Sequence, residues 1–337
     1  MVGQRLEGRS TGDAMIRIAS CMLTTASMVV AVPASAQQRP DPNADVTVAD
    51  PAFPKGTGPI IGIDSGHREL HTITTGFAPF AALLANDGYR MQDFDFALTP
   101  ANLAKVQVLV IANPRNAKPS PTGSPLDSLS AFTDDEIATL HAWVESGGAL
   151  LITADHPPFA GTVRPLAASF GFTINRYAAY VKGAPEAEEL FNRSNGGLID
   201  GPLTHGIDQI ETFFGTAFTA PSAATPLLKL DPSWNFEAKG VAPIPASDAD
   251  WRIATLVVGK GRVVLVGETG ELSAQISAKN TKMGFNAPDA TGNRRLVRNI
   301  ARWLGTGSVA VSSPETVAPI VEPAPPPSNP PEPKDSK

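Results

Sequence analysis

Along the middle of the chain, short apolar runs of strand length alternate with stretches whose apolar residues recur at helical spacing. Pro59–Ile63 is a continuous apolar run, the pattern of a strand covered on both faces. A helix-like stretch from Phe77 to Asn86 follows and stops at Asp87-Gly88. Tyr89–Phe94 and Val106–Ile111 read as the second and third strands. Thr133-Asp134-Asp135-Glu136 has the arrangement of a capping box, with acidic residues at the positive end of a helix. That helix runs through Trp143 and stops at Gly147-Gly148, and Ala149–Thr153 reads as a fourth strand. Later the rhythm changes. Ile253–Val258 and Arg262–Val266 flank Gly259-Lys260-Gly261 as a β-hairpin with a glycine turn, and Gly292–Leu304 carries Leu296, Ile300 and Trp303 at helical spacing. The pattern predicts an α/β, flavodoxin-like domain. Its sheet is expected to be mostly parallel with helices on both faces, followed by a C-terminal β-hairpin and helix.

The ends of the 337-residue chain carry different signals. Met15–Ala36 reads as a secretory signal peptide: Arg17 supplies charge, Ile18–Val32 is weakly apolar, and Ala34-Ser35-Ala36 offers a small-x-small cleavage site. Residues 1–14 then read as upstream read-through before a start at Met15. The expected organisation is a signal peptide over 1–36, a linker over 37–55, the α/β domain over 56–308 and a proline-rich tail over 309–337. The expected location is periplasmic or secreted. Ile18-Ala19-Ser20-Cys21 superficially resembles a lipoprotein box, but its apolar stretch follows the cysteine instead of preceding it. Cys21 is the one cysteine, so a chain cleaved after Ala36 has no disulfide, thiol nucleophile or thiolate metal ligand. No second apolar run reaches the roughly 20 residues of a membrane helix. A formal net charge of −6 argues against a nucleic-acid partner. The partner of the tail is left unassigned.

Chemistry-bearing residues gather after the strands. Three of the five histidines lie in two short segments, Asp64-Ser65-Gly66-His67-Arg68-Glu69-Leu70-His71 and Asp155-His156-Pro157-Pro158. Asn113-Pro114-Arg115 follows the third strand and Gly267-Glu268 the last. In an open parallel sheet, loops at the carboxyl ends of the strands share one edge, where ligands bind at the reversal of strand order. On a helical turn His67 and His71, at i and i+4, would face one way, as two metal ligands require. Asp64, His67, His71 and His156 are therefore the candidate metal ligands, with an ion such as Zn²⁺ suited to their nitrogen and oxygen donors. Asp155 and Glu268 are the candidate catalytic carboxylates, and Asn113 and Arg115 the candidate ligand-binding residues. Plainer readings stand beside these: His67 as a loop-bonding residue, His71 half-buried against the sheet, Asp155 as a helix cap. Ser65 lies on a strand-to-loop turn but lacks the G-x-S-x-G spacing of a nucleophile elbow. Neither a phosphate loop nor a dinucleotide fingerprint is present, so no nucleotide cofactor is expected.

The succession Asp64–His71, Phe77-Ala78-Pro79-Phe80, Asn86-Asp87-Gly88-Tyr89, Thr153-Ala154-Asp155-His156 and Gly261-Arg262-Val263-Val264 resembles a group of exported proteins of unknown function. The stretches Ser273-Ala274-Gln275, Met283–Pro288 and Asn299–Leu304 fit the same group. They belong to the class I glutamine amidotransferase-like superfamily, and the resemblance implies a flavodoxin-like sheet with extra strands. True amidotransferases place a cysteine on the elbow after a central strand. Here the stretch after Ala149–Thr153 is Ala154-Asp155-His156, so hydrolysis of glutamine by a thiolate is excluded. The expectation is a metal-assisted hydrolase acting on a small molecule or glycan. The alternative is a non-catalytic envelope binding module for a sugar or cell-wall fragment.

Overall fold

The computed structural model describes residues 38–184, 188–238 and 240–308. The expected signal peptide over 1–36 and the whole of the expected tail over 309–337 lie outside the described residues. Five helices follow in chain order: α1 Ala78–Asn86, α2 Pro100–Leu103, α3 Asp134–Glu145, α4 Phe159–Ser169 and α5 Asn293–Thr306.

The largest sheet has nine strands. Across it, Arg90–Phe94, Ile60–Asp64, Val108–Ala112, Ala149–Thr153 and Gly261–Val266 lie side by side, all parallel. Trp251–Val258 then pairs antiparallel with Gly261–Val266, closing the hairpin expected at Gly259. Phe218–Thr219, Thr173–Ile174 and Thr225–Lys229 complete the sheet, also antiparallel. The sheet is therefore mixed, with five parallel strands and an antiparallel extension. Two of the strands in that extension are two residues long, too short for any alternation to show in the sequence.

Every residue of Val108–Ala112 and Ala149–Thr153 is buried, which is why these runs show no polar alternation. Successive side chains point to opposite faces. Ile61, Ile63, Val108, Val110 and Leu151 pack with Phe80, Leu83 and Leu84 of α1 and Leu296, Val297 and Ile300 of α5. Leu109, Ile111, Leu150 and Ile152 pack with Ile137, Leu140 and Val144 of α3 and Val163 and Leu166 of α4. Truncating one of these leucines to alanine would cost about 2–5 kcal/mol. The capping box opens α3 as expected: the Thr133 hydroxyl accepts from the Glu136 N–H, while the Glu136 carboxylate accepts from the Thr133 N–H.

The segment expected to be a linker is packed against the domain from Gln38 onward. Arg39–Pro40 pairs antiparallel with Gln275–Ile276, and Ala44, Val46, Val48, Ala52 and Phe53 lie on the core. Asp87, fully buried at the end of α1, accepts from the Ala52 N–H at 2.8 Å and from Arg298 and Arg302 of α5 at 3.0 and 3.2 Å. Ala44, Val46 and Val48 alternate with Asp45 and Thr47 at strand period, and the half-buried apolar side chains face the core, but the run is short and follows Pro40 and Pro42, so it reads as linker. Among the described residues, no helix is long and apolar enough to cross a membrane.

Candidate functional site at the strand ends

The four loops that leave the carboxyl ends of Ile60–Asp64, Val108–Ala112, Ala149–Thr153 and Gly261–Val266 are stitched together. Leu70 N–H donates to the Asn113 carbonyl at 2.9 Å, and Arg115 N–H to the His67 carbonyl at 2.9 Å. Ala154 N–H donates to the Val266 carbonyl at 2.7 Å. At the centre stands Asn113, fully buried at φ +56°, a left-handed conformation uncommon for residues other than glycine. Its side-chain amide donates to Asp155 Oδ2 at 3.0 Å, and its carbonyl oxygen accepts from the Thr269 hydroxyl at 3.0 Å. One side chain thus spans three of the loops.

The first loop concentrates acid around a histidine. Among the described residues, Asp64, His67 and Glu69 form the one group of three whose ligand atoms all lie within 4.8 Å of one another. His67 Nδ1 is 2.7 Å from Asp64 Oδ2, and His67 Nε2 is 3.3 Å from Oε1 of Glu136 on α3. Burial pulls the His67 imidazole down, but the carboxylates of Asp64 and Glu136 outweigh it and the net shift is upward. Glu69 accepts the His67 N–H on one oxygen, while its other oxygen is buried without a partner. Burial, reinforced by the charge of Asp64, pushes the Glu69 carboxyl up to about 9.

His71 and His156 stand apart from that group, contrary to the four-residue ligand set expected. The loop is not helical: Arg68 adopts φ +57°, which turns the chain so that the i and i+4 imidazoles no longer share a face. The His71 ring instead stacks on Phe77 with centroids 5.5 Å apart, and the His71 backbone N–H donates to the Ala112 carbonyl. A side chain at Gly76 would collide with the His71 ring, so that glycine is required by close approach. Burial pulls His71 down to about 4, leaving a neutral imidazole between the charges of Glu268 and Arg115.

His156 Nδ1 lies 2.8 Å from the Pro157 carbonyl, and the His156 backbone N–H donates to Asp155 Oδ1 at 2.6 Å. Its ring lies 4.5 Å from that of Phe214, which in turn lies 5.0 Å from Tyr180. These three half-exposed rings form a short ladder beside Asp155. Phe214 is held at φ +88°. Arg115 is exposed, with its guanidinium 5.4 Å from the Phe159 ring. Asp155 is buried, and burial pushes its carboxyl up against the opposing pull of His156 and Asn113.

Glu268, 3% exposed, accepts the N–H of Gly270 at 2.5 Å and that of Glu271 at 3.0 Å. Behind it lies Arg252, fully buried, paired with Glu189 at 3.0 Å and donating to the Thr216 carbonyl at 2.9 Å. The strand-end edge carries Asp64, His67, Asn113, Asp155 and Glu268, with Asn113 bonded to Asp155. It adds Glu69, Glu136 and Phe214, which the sequence reading did not single out for the site. Glu136 was visible as a capping residue only, because its contact with His67 joins positions far apart in the chain. Glu69 lay in plain view, but an acid beside a histidine is too common to be a signal.

No protein-family model matches the chain, and no curated sequence relative matches it. Among solved structures, it is similar to the mmIFT52 N-terminal domain, with a TM-score of 0.54 at 17% identity. That match covers 74% of this chain and 100% of the domain. It is also similar to a thua-like protein from Parabacteroides merdae, with a TM-score of 0.44, 11% identity and coverage of 76% of this chain and 93% of that one. A thua-like protein from Bacteroides uniformis gives a TM-score of 0.40 and 13% identity, covering 78% of this chain and 96% of that one. At these identities the likeness is one of fold. It shows an α/β architecture.

Proposed function

We propose that the strand-end edge is the site of a metal-assisted hydrolase, with a divalent ion such as Zn²⁺ held by Asp64, His67 and Glu69. The observation that carries this reading is the Glu69 carboxyl oxygen, buried without a partner inside a group of three ligand atoms. The donor chemistry fits: one imidazole and two carboxylates suit a borderline-to-hard divalent ion. His67 also has the outer partner that metal-binding histidines use, since with Nδ1 on the side of Asp64 its Nε2 faces the carboxylate of Glu136.

The position supports the same reading. Counting the parallel strands in chain order, their order across the sheet is 2-1-3-4-5, that of a doubly wound flavodoxin-like sheet. Strand order reverses between Ile60–Asp64 and Val108–Ala112, and the loops that follow these two strands carry His67, Glu69, Asn113 and Arg115. Ligands of such sheets bind at that reversal.

A bound divalent ion would supply a Lewis acid and lower the pKa of a water. Asp155 and Glu268 stand at the ends of the neighbouring strands as the carboxylates that take up or return a proton. Exposed Arg115 binds an anionic group of the substrate, and Asn113 keeps Asp155 in place. The chain is read as acting in the periplasm or outside the cell, after removal of residues 1–36. Elemental analysis of the purified chain and of Glu69→Gln tests the reading: near-stoichiometric divalent metal that Glu69→Gln loses supports it. Metal-free protein whose melting temperature is indifferent to added Zn²⁺ removes it.

One observation favours a second reading, a binding module without turnover. The half-exposed ladder Tyr180–Phe214–His156 offers flat apolar surface beside a carboxylate, as a sugar ring needs. On that reading, Phe214→Ala weakens glycan binding while Asp155→Asn and Glu268→Gln leave it nearly intact.

A further inference from the structure

A 3-10 turn at Gly270–Leu272 follows the Gly261–Val266 strand and brings Glu271 beside Glu268. Glu271 is 1% exposed, and neither of its carboxyl oxygens has a donor to accept from. An ionised carboxylate placed there would be an uncompensated buried charge. A protonated carboxyl instead has an O–H to donate, and its neighbour is the Glu268 carboxylate, which already accepts the Glu271 backbone N–H at 3.0 Å. Glu268 is already fixed from the other side by the two backbone N–H groups of the turn.

The charged groups that face the pair come from several elements. They are Arg252 of the Trp251–Val258 strand, Glu189 of the Glu189–Asn192 strand and His71 of the first loop. Arg252 bonds Glu189 through Nη2 and the Thr216 carbonyl through Nη1, and neither oxygen of Glu271 accepts from its remaining Nε–H. From α5, Asn293 reaches only the Glu271 backbone carbonyl. Burial first, and then the charge of Glu268, pushes the Glu271 carboxyl well above the usual carboxylate range.

We propose that Glu268 and Glu271 form a proton-sharing carboxyl pair, in which the Glu271 O–H donates to the Glu268 carboxylate and fixes it as the buried acid–base group of the strand-end site. Glu271 is thereby a positioning residue, acting through Glu268. The assignment of an acid–base role rests on the hydrolytic reading above, whereas the shared proton does not.

The test is carbon NMR of the full chain, labelled at the glutamate side-chain carboxyl carbon and stripped of metal by a chelator. The Glu271 carboxyl resonance should keep its protonated position well above the pH range in which ordinary carboxyls ionise. It should vanish in Glu271→Gln, which keeps the volume and a donor, and persist in Glu69→Gln, which removes that residue's own protonated signal. In Glu268→Gln the same resonance should titrate at lower pH, because the neighbouring charge that holds the proton is gone. If Glu271→Gln removes only an ionised signal, or Glu268→Gln leaves the titration unmoved, the pair is refuted. Should Glu271→Gln fail to fold, the Glu268→Gln comparison decides alone. Because the protein is metal-free throughout, failure of the ion-binding reading leaves this result intact.

Discussion

His67 Nδ1 stands 2.7 Å from Oδ2 of Asp64, the last residue of a buried strand, so the sheet itself aims the imidazole. Asp64 is fully buried, and its other carboxylate oxygen accepts the Gly66 N–H at 3.0 Å. Replacing Asp64 by asparagine keeps the shape and removes the charge. We expect the His67 imidazole of Asp64→Asn to titrate at lower pH, since an opposing carboxylate is gone. Stability should fall by about 2 kcal/mol for the loss of a charge-assisted bond. Histidine NMR titration and urea denaturation measure the two effects, and an unmoved His67 midpoint would show that Asp64 does not hold the ring.

Asn113 combines a left-handed backbone with two buried side-chain bonds. Asn113→Ala loses the bonds and also strains the backbone, whereas Asn113→Gly loses the bonds alone. The alanine variant should therefore be less stable than the glycine variant by about 1 kcal/mol. Equal denaturation midpoints for the two would mean that the backbone conformation is not maintained in solution.

His71 gives the pH dependence. Its folded value of about 4 lies below the ordinary 6.5, so the unfolded chain binds the extra proton first. The stability that neutral His71 contributes is complete above about pH 6.5 and is lost as pH falls toward about 4. The loss attributable to this one residue is at most about 3 kcal/mol over that window. Denaturation curves of the wild type and His71→Gln, compared across the window, should converge as the pH drops. Curves that stay parallel would contradict a buried, neutral imidazole.

Much of the scaffold was legible because its determinants are local. The all-apolar runs at Val108–Ala112 and Ala149–Thr153 and the Thr133–Glu136 capping box each announce an element within a few residues. The meeting of the loops followed from parallel strands sharing one edge, and the bonds from Asn113 to Asp155 and Thr269 show that meeting directly. The ligand geometry did not follow, because it depended on one dihedral. A helical turn at Arg68 would have joined His67 to His71, whereas the left-handed turn there joins His67 to Asp64 and Glu69. Phe214 and Glu136 reach the site from distant segments, with no local pattern to mark them. The packing of residues 38–55 depends on Asp87, Arg298 and Arg302, which are likewise remote in sequence.

Calorimetric titration of Zn²⁺ into the chelator-treated full chain tests the central claim most directly, with His67→Ala, Glu69→Gln and His71→Ala titrated alongside. One site per chain is expected in the wild type and in His71→Ala. Affinity should fall by about a hundredfold or more in His67→Ala and Glu69→Gln, since each removes an ion ligand. A wild type that takes up no ion, or one whose binding survives in both of those variants, would contradict the assignment of Asp64, His67 and Glu69 as the metal centre.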